Sequence, residues 1–231
     1  LGQLKIVPAE RMSVLDRQVN DGLKRLLDFQ NDDGGWGWWR SEASQPFMTA
    51  YAVYGLTEAR REGVRFDAYR LERGARELAS LYARYPRAVP DLKAYVVFVL
   101  GRTGVQIETY RHADALNDLW GARDRMSSYG RALLLLALDD AKDARGSELA
   151  TRLLGEATTQ GELSFWKSDS DPLLGDFGDT GVEATATAVR ALARRDPRNP
   201  VLDRAVRWLM LNRSGGYWGS TKQTAMALYG L

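Results

Sequence analysis

Glu183 opens the stretch Gly181-Val182-Glu183-Ala184-Thr185, at the head of a segment that reads as an apolar helix, and it is the acidic residue best placed to do chemistry. A carboxylate at the mouth of a helical cavity could act as an acid or base, as paired carboxylates do in glycoside hydrolysis. No partner stands at the matching place elsewhere: the other apolar segments begin near Gln45, Lys93, Ser128 and Lys222. His112, the single histidine, lies between Arg111 and Asp114 in a polar stretch and reads as a solvated residue rather than a general base. Cysteine is absent, which removes disulfides, thiolate metal sites and a cysteine nucleophile from the chain. The acidic loop Asp169-Ser170-Asp171-Pro172-Leu173-Leu174-Gly175-Asp176 invites a calcium or magnesium reading. It lacks the spaced donors and closing Glu of an EF-hand loop, so a solvated loop is the better reading and no metal site or cofactor is expected.

The other candidate is aromatic. Gln30-Asn31-Asp32-Asp33-Gly34-Gly35-Trp36-Gly37-Trp38-Trp39 is a polar, glycine-containing turn carrying three tryptophans. Glycines there permit backbone angles closed to other residues, and the aspartates can bond the turn's own amides. Three indoles in four residues are too much apolar area to leave without a partner. The favoured reading is that they plug one end of a helical barrel. The sharper alternative is that Trp36, Trp38 and Trp39 line a pocket, together with Glu183 and with Tyr217 and Trp218 of the echoing turn Gly215-Gly216-Tyr217-Trp218-Gly219.

The elements that would position these residues are helices in pairs. Leu15, Val19, Leu23, Leu26 and Leu27 form one face of an amphipathic helix over Arg11–Phe29. Pro46 then starts a second helix that is apolar on most sides. The alternation recurs: a one-sided stripe at Leu71, Ala75, Leu78 and Tyr82 precedes a run from Leu92 to Leu100, with Asp91 as its expected cap. Stripes at Ala115–Trp120 and Leu149–Leu154 precede apolar runs at Tyr129–Leu138 and Val182–Ala193, and Asn199-Pro200 opens the last outer helix before an inner one near Ser220. Three inner segments share a pattern, Thr49-Ala50 to Leu56, Thr185-Ala186 to Leu192 and Thr224-Ala225 to Leu231. Repeated helix pairs with small residues on the inner member predict an all-α fold, an α/α toroid with five antiparallel pairs visible and a sixth needed to close the ring. Residues 1–231 are read as one domain, truncated at both ends. Leu4–Val7 is at most a short extended lead-in.

Composition narrows the partners. The 32 basic and 30 acidic residues give a net charge of +2 and are interspersed, which argues against a nucleic-acid stripe. The apolar run Ala132–Leu138 is far shorter than the roughly 20 residues of a membrane span, so no direct membrane insertion is expected.

Three motifs in the last third carry a specific resemblance. Gly181-Val182-Glu183-Ala184-Thr185-Ala186 through Leu192, Ala205-Val206-Arg207-Trp208-Leu209, and Gly215-Gly216-Tyr217-Trp218-Gly219-Ser220-Thr221-Lys222-Gln223-Thr224 resemble the thioester domain of the alpha-2-macroglobulin and complement family. The opening tryptophan turn with Pro46-Phe47-Met48-Thr49-Ala50-Tyr51 is similar to the bacterial branch, and the likeness runs from about Leu15 to Leu231. The resemblance implies an α/α toroid in a periplasmic protease trap, with no enzymatic activity of its own, whose partners are other domains of the parent protein and target proteases. It also implies a thioester formed by a Cys-x-Glu-Gln motif, and this chain has no cysteine with which to form one. The turn from Arg84 to Asp91, where some complement members carry an acyl-accepting histidine, holds none, so any aminolysis is expected to be direct.

Two rival readings share the helical barrel. A terpene cyclase or prenyltransferase is suggested by the Gln30–Trp36 turn, yet the Asp-x-Asp-Asp motif is absent and a prenyltransferase zinc site would need a cysteine. A glycosidase would need a partner for Glu183. A purely structural interaction module is the remaining alternative.

Overall fold

The protein is described by a computed structural model that covers residues 9–85, 88–175 and 178–231, with side chains from residue 14. Leu4–Val7 and Asp176 lie outside the described residues. The fold is all-α. Helices run in the order α1 Ala9–Asp28, α2 Pro46–Arg61, α3 Ala68–Arg84, α4 Pro90–Thr103, α5 His112–Ala122, α6 Ser128–Asp140, α7 Gly146–Gly155, α8 Gly181–Ala193, α9 Pro200–Leu211 and α10 Thr221–Gly230. Contacts divide the chain into two compact units, Leu1–Leu81 and Tyr82–Leu231.

In the first unit, α2 is the apolar member. Its Phe47, Ala50, Val53, Tyr54 and Leu56 are buried, while α3 buries one stripe through Leu71, Ala75, Leu78 and Leu81. Proline at the first position of α2 suits a helix start because its missing N–H would have had no intrahelical partner. On α1 the predicted stripe splits: Leu23, Leu26 and Leu27 are partly covered, and Leu15 and Val19 stay exposed.

In the second unit the inner helices α4, α6, α8 and α10 contact one another in succession. Helix α5 lies against α4 and α6, α7 against α6 and α8, and α9 against α8. All ten residues from Tyr129 to Leu138 on α6 are buried, which is what a helix covered on every side requires. Small residues allow close approach at these contacts: a Cβ at Gly230 would collide with the backbone carbonyl of Ala186 on α8.

Asn199 caps its helix as expected, and Ser127 and Ser220 do the same for α6 and α10. Each side-chain oxygen accepts from a first-turn amide, Val201, Gly130 and Gln223 respectively. Asp91 differs. Helix α4 starts at Pro90, and Asp91 instead caps the neighbouring inner helix: its Oδ1 accepts from the amides of Ser127 (3.0 Å) and Gly130 (3.1 Å) and from the Ser127 hydroxyl. Burial raises the pKa of this carboxyl, and those hydrogen bonds oppose the shift.

Two further departures concern the stretch before α8. Thr158–Gln160 and Leu163–Phe165 pair as an antiparallel hairpin, β1 and β2, turning at Gly161 with φ 59°. Three-residue strands are too short to show an alternation, so their sequence carries little strand signal. The acidic loop is also less solvated than expected, because Asp171 is 3% exposed.

Truncating Leu135→Ala in the middle of α6 is expected to cost about 2–5 kcal/mol in urea unfolding, through lost burial and a residual cavity. Leu211→Ala, at a site 71% exposed, should change stability by less than about 0.5 kcal/mol.

Candidate functional site

The tryptophans of the turns act on helix ends. Trp36 Nε1 donates to the carbonyl of Leu26 at 2.8 Å, Trp166 Nε1 to that of Leu153 at 2.8 Å, and Trp218 Nε1 to that of Leu209 at 2.8 Å. Each acceptor is the third residue from the end of an outer helix, α1, α7 or α9, where carbonyls lack intrahelical donors. The same tryptophans are tied to the inner helix that follows. Their backbone amides donate to Thr49 Oγ1 (3.0 Å), Thr185 Oγ1 (3.1 Å) and Thr224 Oγ1 (3.0 Å), and Thr49 and Thr224 return their hydroxyl protons to the Trp36 and Trp218 carbonyls at 3.2 Å. One aromatic residue thus clamps an outer helix end to an inner helix start, and the loop between has freedom to vary in length. At α6 an arginine takes this position: Arg131 donates to the carbonyls of Arg123 and Met126 and pairs with Glu156 at 2.9 Å.

The polar residues of the first turn are equally committed. Gln30 Nε2 donates to the carbonyls of Gly34 (2.8 Å) and Arg70 (2.9 Å), Asn31 Nδ2 to that of Glu42 (2.7 Å), and Asp33 Oδ1 accepts from Gly35 N (2.9 Å) and Ser44 Oγ (2.7 Å). Gly34 adopts φ 97°, and a side chain there would press on the backbone of Arg73. These contacts account for the Gln30–Trp36 pattern without an active site. The candidate aromatic residues separate accordingly. Trp36 and Trp218 are buried in their clamps; Trp38 is half exposed and stacks on Phe47 at 6.4 Å; Trp39 and Tyr217 face solvent. Trp218 packs with Val182, Ala186, Leu209 and Ala227 as core.

Glu183 does acquire partners, from two elements that sequence spacing did not connect. Its Oε1 lies 3.5 Å from Lys222 Nζ at the start of α10, and Lys222 also binds Asp171 Oδ2 from the acidic loop. Asp171 Oδ1 in turn accepts from the amides of Leu173 (2.9 Å) and Leu174 (3.2 Å). Glu183 is 1% exposed and its Oε2 has no hydrogen-bond partner among the described residues. Burial pushes the Glu183 carboxyl up, Lys222 pulls it down, and Asp171 pushes it up again. One ammonium therefore serves two buried carboxylates, and burial disfavours the charged form of Glu183. Asp171 is held by the lysine and by its own turn, which leaves Glu183 without the free second carboxylate that glycoside hydrolysis needs.

His112 is half-buried rather than solvated. Its Nδ1 lies 3.0 Å from the Tyr110 hydroxyl, its ring sits against Gly101, and burial lowers its pKa while Asp140 raises it. Among the described residues no group of three acidic, histidine or cysteine side chains could hold a metal ion.

No family model matches the chain. It is 27% identical over 220 residues to an alpha-2-macroglobulin of Thermotoga maritima, a match that takes in 94% of this chain and 12% of that protein. Its fold superimposes on the native alpha-2-macroglobulin of Escherichia coli, in a structure running from domain MG7 to the C-terminus, with a TM-score of 0.70 at 22% identity, covering 97% of this chain and 37% of the other. The trypsin-activated Escherichia coli protein matches with a TM-score of 0.66 at 23% identity, over 90% of this chain and 14% of that one. Over nearly its whole length the chain is thus similar to bacterial alpha-2-macroglobulins. It spans 12% of the length of its Thermotoga maritima relative, so the macroglobulin likeness concerns one helical region.

Thr185→Val is expected to destabilise by about 1–3 kcal/mol, because the buried Trp166 amide loses its acceptor without a change in side-chain size. Thermal unfolding against wild type measures it. The charge cluster makes a second prediction. A carboxyl whose pKa is raised on folding contributes stability that declines as pH climbs from its unfolded value towards the folded one. Stability should fall above about pH 4.5 from this group, Glu183→Gln should remove that decline, and Lys222→Met should cost about 3–5 kcal/mol at neutral pH by stranding two carboxylates. Urea titrations at stepped pH separate the two.

Proposed function

We propose that this chain is the thioester-type helical domain of a bacterial macroglobulin that inhibits proteases by trapping them, acting in the periplasm and catalysing no reaction itself. The observation that carries this reading is the match to alpha-2-macroglobulin over 94% of the chain, coupled to a fold match over 97%. The three C-terminal motifs agree with it, and the geometry explains two of them: Trp218 and Thr224 of the Gly-Gly turn make a clamp, and Glu183 and Lys222 make the buried pair. With no cysteine among its 231 residues, the chain supplies no thioester sulfur, so its own part in trapping is that of a rigid helical body presented to other domains and to the captured protease. Among the described residues no helix is long and apolar enough to cross a membrane.

Trapping by enclosure has a distinct signature: a confined protease still meets small substrates and is shielded from large ones. The full-length parent, mixed with trypsin, should reduce cleavage of a large protein substrate while leaving a small chromogenic peptide substrate cleaved. Prior methylamine treatment should abolish the effect where a thioester takes part. Unchanged cleavage of the large substrate, or turnover of polyprenyl diphosphates or glycans by this chain alone, would overturn the reading.

A further inference from the structure

Trp39 is 77% exposed, Trp38 47% and Phe29 45%, all within one turn of the first unit. These rings are held outward by defined contacts. The amide of Trp39 donates to Glu42 Oε2 at 3.1 Å, the amide of Glu42 to the Trp39 carbonyl at 3.2 Å, and Asn31 holds the Glu42 carbonyl at 2.7 Å. Ser41 completes the turn in the left-handed region at φ 66°, an uncommon conformation for a residue with a Cβ. Unlike Trp36, the two outward indoles close no helix end among the described residues, and Trp38 stacks on Phe47.

Beside these rings lies a cleft of about 370 Å³ lined by Asp28, Asp32, Asp33 and Glu42 together with Phe29 and Arg40. Arg40 is already engaged, over the Phe29 ring at 5.7 Å and towards the Asp28 carbonyl at 3.4 Å. Two further cations reach this turn: Arg73 donates to the carbonyls of Asn31 and Asp32, and Arg70 Nη1 to Gln30 Oε1 at 3.2 Å. Asp33 and Glu42 serve the turn through one oxygen each, while among the described residues the carboxylates of Asp28 and Asp32 make no hydrogen bond or ion pair. Four carboxylates against the three guanidinium groups of Arg40, Arg70 and Arg73 leave the charge negative. The exposed Phe29 ring lines the same cleft, and Trp39 immediately precedes Arg40 in sequence.

We infer that this face of the turn docks a basic polypeptide segment, its lysine or arginine side chains seating in the acidic cleft and over the Trp39 ring. Charge and chemistry select that occupant. Carboxylates attract ammonium and guanidinium groups, an indole face attracts the same cations through its quadrupole, and the pairing discriminates against acidic segments and anionic lipid surfaces. The inference is independent of protease trapping, because it stands on residues of this turn alone.

A heptaarginine amide peptide is the probe, titrated into the chain with tryptophan fluorescence as the readout and heptaglutamate as control. Saturable binding of the arginine peptide is expected, weakened about tenfold on raising salt from 0.05 to 0.5 M. Trp39→Ala and the double variant Asp28→Asn/Asp32→Asn should each weaken it roughly fivefold with unchanged unfolding temperature, since all three side chains are solvent-facing. Absence of saturable binding, equal binding by the variants, equal binding of heptaglutamate, or stronger association with phosphatidylserine vesicles would overturn the inference.

Discussion

A helix that ends inside a protein leaves carbonyls with no donor, and the rest of this structure depends on how that is resolved. At α1, α7 and α9 an indole N–H reaches the third carbonyl from the end, and the backbone of the same tryptophan bonds a threonine on the next inner helix. A single residue thereby satisfies a buried acceptor, fills the space between two helices and sets where the second begins. Because the clamp holds at two points, the loop between Trp166 and Thr185 can hold the acidic turn, while that between Trp218 and Thr224 is only a cap. Repetition of the contact, more than repetition of loop length, makes the helix pairs alike.

Polar groups at the heads of the inner helices follow the same logic of local satisfaction. Asp91 leaves its own helix uncapped and supplies acceptors for α6; Arg131 takes the place of a clamp threonine; Lys222 neutralises carboxylates from a loop and from α8. Such exchanges between neighbours couple adjacent pairs more firmly than apolar packing alone, since removing one partner strands the other in a low dielectric. They also account for the surroundings of the residues that resemble catalytic candidates. Glu183 is enclosed, Asp171 is spoken for, and His112 sits against Tyr110 and Gly101.

Much of the fold was legible because helix packing writes itself into the chain with a regular period. The stripe at Leu71, Ala75 and Leu78 and the unbroken run from Tyr129 to Leu138 each state how many sides are covered, and the structure agrees. The cap made within one helix at Asn199 was equally readable. What escaped was every contact between residues far apart or at irregular spacing: the Asp91 cap on α6, the meeting of Glu183 with Lys222 and Asp171, the clamps, and the short hairpin before Trp166. The tryptophans and threonines of the clamps were each visible as repeats, and nothing in their variable separation said that they touch.

By itself, then, the sequence determined the helical class, the alternation of one-sided and enclosed helices, the exclusion of cysteine and most histidine chemistry, and the macroglobulin resemblance of its motifs. Those properties depend on local periodicity and on residue identity, which need no third dimension. Only the tertiary structure decided which polar side chains would be buried together, that Trp36 would close a helix while Trp39 met solvent, and that the lone oxygen of Glu183 would be left without a donor. Such outcomes turn on distances between separate elements, and a difference of a few ångströms separates a hydrogen bond from an unpaired charge.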